Sequence, residues 1–256
     1  MPRPDSHGNI SRPAASVDAS RLQFRRGQRI NLDSVNSGSL FRLEQGCLTC
    51  DVLLASGERH IMVLLYPGDL ICRNFLPPLP SIGLTAVAPS TITRTTLALG
   101  ARDEPSVPAL HETLAASAAR LLARTTLYAT AMGRLSAEER LATLLCDIAL
   151  HLGKQAPGGF TFEVPLSRRD MADHLALNPD SLSRLMSRMK AKGLIALPSR
   201  TRAITRDLDA LLATTPFGAT LQTMRPRTPS TDEIEQAQER HARSLLGPAD
   251  YSTTRR

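Results

Sequence analysis

The apolar positions of this chain change rhythm twice, and each change marks a change of architecture. Between about residues 20 and 104 they fall in short runs broken by turn residues. Leu40-Phe41-Arg42-Leu43, Cys47 to Leu54 and Arg59 to Leu65 are separated by Gly46 and by Ser56-Gly57, and Pro67-Gly68-Asp69 follows the last. Thr85-Ala86-Val87 and Thr91-Ile92-Thr93 continue the series beyond a Pro-rich insert, Leu76-Pro77-Pro78-Leu79-Pro80. Short runs at this spacing predict an all-β domain of successive hairpins. From residue 106 to 134 the period becomes helical. Leu114, Leu121, Tyr128 and Leu135 recur every seven residues, with Leu110, Ser117, Arg124 and Ala131 at the companion positions. That predicts one long helix carrying half a coiled-coil seam, which serves either a partner helix or the helix's own domain.

After residue 135 the signals are helix caps. Ser136-Ala137-Glu138-Glu139 is a capping box, opening a helix to about Leu152 whose apolar face is Leu141, Leu144, Leu145, Ile148 and Leu152. Ser167 caps a second helix with Asp170 three residues on, and Met171, Ala172 and Leu175 form its buried face. Asn178-Pro179 restarts the chain with a favoured cap and a favoured first residue, so a third helix runs through Leu182, Leu185, Met186 and Met189 to Gly193. Two helices joined by so short a turn cross steeply, and Ala172 supplies the small residue at the crossing. Ala176 occupies the turn, where Gly is commoner and a positive φ would strain a side chain. Leu194-Ile195-Ala196-Leu197 and Ala203-Ile204-Thr205 then predict two short strands around a turn bearing Arg200 and Arg202. The whole is a helix-turn-helix with a wing.

The remaining positions of the third helix, Asp180, Ser181, Ser183, Arg184, Ser187 and Arg188, are all polar and face away from its core. Residues 164 to 206 hold nine Lys or Arg against three Asp, the footprint of a phosphate-contacting surface. Candidate DNA-binding residues are therefore these six together with Ser167, Arg168 and Asn178 at the helix starts and Arg200 and Arg202 on the wing. The competing reading is a helical hairpin that only packs, inside a scaffold or a module sensing a small molecule or redox state.

The stretch LSRRDMADHLALNPDSLSRLMSRMKAKGLI, residues 166 to 195, resembles the Crp/Fnr superfamily of bacterial transcription regulators without a gap. In its Fnr-like branch the recognition helix reads Glu, a hydroxyl residue, an apolar residue, then Ser-Arg, and Asp180-Ser181-Leu182-Ser183-Arg184 stands in those places. The acid is one methylene shorter. An acid accepts from cytosine N4 and Arg bonds guanine in a bidentate fork, so Asp180 and Arg184 are the candidates for base readout, with Ser183 able to touch base or phosphate. The resemblance extends to the β region, which looks like a cyclic-nucleotide-binding-type jelly roll down to the Gly46 turn and the Pro-Gly-Asp bend. It implies an α+β fold: N-terminal jelly roll, long dimerisation helix with Leu110, Leu114, Leu121, Tyr128 and Leu135 at the interface, and C-terminal winged helix-turn-helix. It also implies a homodimer on a palindromic operator, with RNA polymerase as a partner if the protein activates. One feature departs from the family's cyclic-nucleotide receptors. Their Gly-Glu and phosphate-binding Arg-Ser pair are missing from Leu70 to Gly83, so cyclic nucleotide is not the expected ligand.

The expected domains are a disordered arm over 1–19, a β-roll sensor over 20–105, the dimerisation helix over 106–135, the winged helix-turn-helix over 136–215 and a flexible tail over 216–256, with one short helix in it from Thr231 to Leu246. Apolar content of 42% in 256 residues suffices for two modest cores, and a net charge of +7 suits nucleic acid or an anionic surface. No run of 18 apolar residues and no apolar signal core at the N-terminus occurs, so a cytoplasmic protein without a membrane partner is expected. The four cysteines, Cys47, Cys50, Cys72 and Cys146, include a Cys47-x-x-Cys50 pair that falls in an alternating strand, where residues three apart point to opposite faces. No cofactor, and in particular no iron–sulfur cluster, is expected. The six histidines are scattered, and no phosphate loop or nucleophile elbow occurs, so no enzyme is expected.

Overall fold

The structure, a computed structural model, describes residues 19–31, 39–72, 75–76, 81–96 and 107–224. The first half is two four-stranded antiparallel sheets. One has the order β1 (Ala19–Phe24), β8 (Ser90–Thr96), β3 (Ser39–Gln45), β6 (Leu70–Cys72). The other runs β2 (Arg29–Asn31), β7 (Ile82–Ala86), β4 (Leu48–Leu53), β5 (Arg59–Leu65). The last strand thus returns between the first and the third, and apart from the β4–β5 hairpin sequence neighbours lie in opposite sheets, the roll that the turn spacing implied. Leu43, Leu48, Cys50, Val63, Leu65, Ile71, Leu84 and Ile92 fill the space between the sheets. Gly46 turns β3 into β4 at φ 94°, and a Cβ there would lie 2.4 Å from the Pro89 carbonyl oxygen, so both backbone and space demand glycine.

Helix α1 (Val107–Arg134) then crosses the roll and corrects the expected seam. Ser117, Leu121, Arg124, Tyr128 and Ala131 are all buried in the protein's own cores, Leu121 within the roll and Tyr128 below it. Leu114 and Leu135 are half-buried, and the side chain of Leu110 lies outside the described residues. The heptad is real, but it is the face that covers the roll. Polar residues at two of its positions find partners there. Ser117 Oγ accepts from Leu70 N at 3.0 Å and donates to Leu70 O at 3.2 Å, and Arg124 Nη1 donates to Leu64 O at 3.1 Å and Asp69 Oδ2 at 2.8 Å. The opposite face, Ala115, Ala119, Leu122, Thr126, Ala129 and Gly133, is exposed, and Leu122 leaves 68% of its surface open.

Below the roll, α2 (Ala137–Leu152) is buried from Leu141 through Leu150, with the capping box of Ser136 and Glu139 formed in both directions. Around it stand α3 (Arg168–Leu175), α4 (Pro179–Ala191), α5 (Leu208–Leu212) and α6 (Gly218–Met224). Three features differ from expectation. The wing is a three-stranded sheet in the order β11 (Arg202–Thr205), β10 (Gly159–Glu163), β9 (Lys154–Ala156). The segment Leu194 to Leu197 contributes only a single bridge, Ala196 to Ile204, on the edge of β11 that β10 leaves free. The ordered fold also continues past residue 216, since fully buried Leu221 of α6 packs in the core around α2. Residues 1–18 of the arm expected over 1–19, Pro77 to Pro80 of the insert, and the segment from 225 with its short helix lie outside the described residues, while residue 19 already belongs to β1.

Candidate nucleic-acid interface

The two helices at the centre of the candidate interface are set by their caps. Ser167 Oγ accepts from Asp170 N at 3.1 Å while Asp170 Oδ2 takes the Ser167 amide at 3.2 Å, closing the N-terminus of α3. Ala176 ends the helix in the left-handed region at φ 49°, so the strain read from its sequence position is present. Arg140 Nη1 of α2 donates to the Leu175 carbonyl at 2.8 Å and satisfies an end that glycine would otherwise close. Asn178 Oδ1 accepts from Asp180 N at 2.8 Å, and α4 starts with Pro179 at its first turn. Leu182, Leu185, Met186 and Met189 are buried against the core.

Asn178, Asp180, Ser181, Ser183, Arg184, Ser187 and Arg188 are exposed along one helix and its cap. The Ser183 hydroxyl donates to Pro179 O and that of Ser187 to Ser183 O, each at 3.0 Å, which leaves their lone pairs turned outward as acceptors. The cations are not equivalent. Arg188 lies 3.8 Å from Glu138 of α2, and Lys192 is ion-paired with the same carboxylate, which the Lys192 hydrogen bond, helped by the two charges, holds below the ordinary glutamate range. Arg184 forms no ion pair among the described residues, so its fork is free for a ligand. Ser167 spends its hydroxyl inside the capping box, and Arg168 is half-buried, with burial lowering its pKa. On the wing, Arg200 and Arg202 are both exposed, and Ser199 Oγ shapes the turn by accepting from Arg202 N at 3.1 Å.

The first helix of this pair is docked on the roll, which nothing in the helical pattern announced. Arg59 of β5 is ion-paired with Asp170, and His174 Nδ1 lies 2.9 Å from the Ile61 carbonyl oxygen of the same strand. Arg26 Nη2 adds a bond of 2.8 Å to Pro165 O. Higher in the same seam a polar cluster joins the roll, α1 and α2. Asp147 accepts from Tyr66 at 2.9 Å and from Tyr128 at 3.0 Å, and His151 stacks on Tyr66 with centroids 4.1 Å apart. Arg124 Nη2 lies 3.3 Å from His151 Nε2; because a guanidinium only donates, that nitrogen accepts and Nδ1 carries the proton. Burial would raise the pKa of Asp147, yet the His151 hydrogen bond and the Arg124 charge hold it below the ordinary value. Burial and the Asp147 charge push the Tyr66 and Tyr128 phenols well up, so both stay protonated as donors.

Cys47 belongs to the lower core and Cys50 to the interior of the roll, on opposite sides of the sheet. Burial raises the thiol of Cys146 to about 12 and that of Cys47 further still. Among the described residues no three His, Cys, Asp or Glu side chains gather as a metal site, and no helix is long and apolar enough to cross a membrane.

A Crp-like helix-turn-helix domain matches residues 139–214, the stretch from the first turn of α2 to the end of α5. A probable transcriptional activator of Rhizobium leguminosarum bv. viciae is 27% identical over 191 residues, 75% of this chain and 79% of that protein. The transcriptional activator protein FnrL of Cereibacter sphaeroides is 40% identical over 86 residues, 32% of this chain and 34% of that protein. The nitrogen fixation regulation protein FixK of Rhizobium meliloti is 27% identical over 68% of this chain and 77% of its own length. Among solved structures, FixK2 from Bradyrhizobium japonicum shares the fold with a TM-score of 0.65 at 22% identity, covering 78% of this chain and 98% of that one.

Proposed function

The chain belongs to the Crp/Fnr superfamily and is a DNA-binding transcription regulator of that type, and from this premise we propose that it acts as a homodimer on a roughly palindromic operator, without catalysing a reaction. Arg184 carries the reading. It is exposed on the outer face of α4 beside hydroxyl acceptors and without an ion pair among the described residues, whereas Arg188 and Lys192 are drawn to Glu138. Arg184 and Asp180 read base edges, Ser183 and Ser187 touch base or phosphate, and Arg200 and Arg202 hold phosphate from the wing. Two subunits pair through the open face of α1 around Leu122, and this spaces the recognition helices about 34 Å apart in successive major grooves. Cyclic nucleotide does not control it: the roll lacks the Arg-Ser pair, and Arg124, a buried cation at the Pro-Gly-Asp bend, is already paired with Asp69. The reading places the protein in the cytoplasm, where its DNA is, and RNA polymerase is its partner wherever it activates.

Selection of bound duplexes from a random pool tests this together with a salt titration. A recurring inverted repeat, bound with an affinity that falls steeply with log salt, is the expected result. Recovery of no preferred duplex, with binding insensitive to salt, would overturn it.

A further inference from the structure

Charged residues of α4 and its C-cap follow one another at four-residue steps: Asp180, Arg184, Arg188 and Lys192. That spacing sets them in one row along the outer face of the helix, each about 6 Å from the next along the axis. Their surroundings divide the row in two. Arg184 forms no ion pair among the described residues, whereas Arg188 and Lys192 both reach a residue of another helix, Glu138 in the first turn of α2.

One anion is thus shared by two cations. Lys192 Nζ donates to Glu138 Oε1, and Arg188 Nη1 lies 3.8 Å from Oε2. The Lys192 hydrogen bond, helped by both charges, keeps the carboxyl ionised near pH 7. Glu138 takes no part in closing the helix it belongs to, since Ser136 and Glu139 make the capping box. Nor is the cluster buried: the side chains of Arg188 and Lys192 are 62% and 56% exposed, and that of Glu138 31%. Ion pairs so open to water contribute little to stability, and another anion can take the place of the carboxylate.

A helix that offers its N-terminal residues to base edges carries the later turns of the same face out towards the phosphates. A phosphate arriving at Arg188 and Lys192 therefore meets cations that already hold a carboxylate. We propose that Glu138 is an internal counter-charge, which competes with DNA phosphate for Arg188 and Lys192 and so limits the affinity for duplex of any sequence. This rests on the reading of α4 as the recognition helix. Base preference belongs to Asp180 and Arg184 at the other end of the row and does not depend on Glu138.

Binding of the full-length protein to a random-sequence duplex, followed by fluorescence anisotropy over a range of salt, tests this with Glu138→Gln. The variant should bind up to about fivefold more tightly per subunit, the range that a surface ion pair covers. It should also steepen the fall of log affinity with log salt by about 0.9 per subunit, the equivalent of one added phosphate contact. Glu138→Ala, a good helix former, serves in its place if the first variant folds poorly. In Arg188→Gln/Lys192→Gln the same change at Glu138 should gain much less, because it then frees no cation. Duplexes selected from a random pool should show the same base preference with and without the carboxylate.

Unchanged affinity, an unchanged salt slope or an altered base preference would each overturn the proposal. So would an equal gain in the variant without the two cations, which would reduce the result to net charge. Weakened binding would mean that Glu138 positions the cations for DNA instead of withholding them, and would overturn it too. All of these outcomes are read against a wild type that binds duplex. A wild type that binds none would overturn the DNA-binding reading itself, and this proposal with it, so the two failures are distinct.

Discussion

Arg124 Nη1 lies 2.8 Å from Asp69 Oδ2, and this pair fastens the middle of α1 to the bend that follows β5. The guanidinium is 2% exposed and also sits 4.9 Å from the centre of the Tyr66 ring. Burial works against its charge, but Asp69 and Asp147 outweigh burial and hold the arginine firmly ionised. Arg124→Met should therefore destabilise the fold by about 3–5 kcal/mol, because it leaves buried carboxylates uncompensated. Adding Asp69→Asn should recover part of the loss. Urea denaturation of the two variants measures both effects, and equal stabilities would mean that the pair is not coupled.

Arg184→Ala should weaken binding to a selected operator by about 1–3 kcal/mol and relax preference at one base pair per half-site, as loss of a bidentate guanine contact does. Arg200→Ala or Arg202→Ala should instead weaken all sequences alike and flatten the dependence on log salt by about one per charge. Binding assays on the operator and its single-base variants separate the two patterns. An Arg184 variant that loses affinity uniformly would move that residue to the phosphate.

Leu121 and Leu122 are neighbours with opposite fates, one in the core of the roll and one in the open. Leu122→Glu should yield monomers that melt close to the wild-type temperature, since the charge meets only a partner subunit. Leu121→Asp should destabilise each subunit by at least about 3 kcal/mol, the scale of a buried unpaired carboxylate. Sedimentation and thermal melting distinguish them, and a Leu122→Glu protein that stays dimeric would place the interface elsewhere.

His174 sets an acid limit. Its folded pKa of about 4 lies below the ordinary histidine value of 6.5, so the folded state binds fewer protons than the unfolded one between those values. Its contribution is thus fully present above pH 6.5 and is lost as the pH falls towards 4, by about 3 kcal/mol in all. His174→Asn keeps a donor for Ile61 but cannot titrate, so its stability should fall less over that window. Parallel slopes in urea denaturation would show that another group is responsible. The lowered pKa of Asp147 adds a second loss, but only below the ordinary carboxylate range.

What could be read from the chain was local. Ser136, Ser167 and Asn178 announce their helices because a cap and its partner lie within three residues of each other. The hairpin of β9 and β10 was written in the Gly158-Gly159 doublet and the alternation of Phe160 and Phe162, but β9 is short and polar and has no apolar face to detect. The seven-residue spacing of α1 says which residues share a face. It does not say what that face meets, and here the roll meets it first. His174 carried no signal at all, because its partner is a backbone carbonyl 113 positions away.

Asp170 and His174 are four residues apart on α3, one helical turn, and their partners Arg59 and Ile61 are two apart on β5. The steps nearly match, about 6.0 Å along the helix and about 6.6 Å along the strand. The helix therefore lies along the strand at two fixed marks, and a tilt that frees one strains the other. An ion pair with both side chains partly in water and one hydrogen bond together amount to about 1–2 kcal/mol. Those two polar contacts set a ceiling on the signal they can carry: whatever parts α3 from β5 gains or loses through them roughly a fivefold to thirtyfold change in the balance of two states, enough to tilt that balance without either state being forbidden.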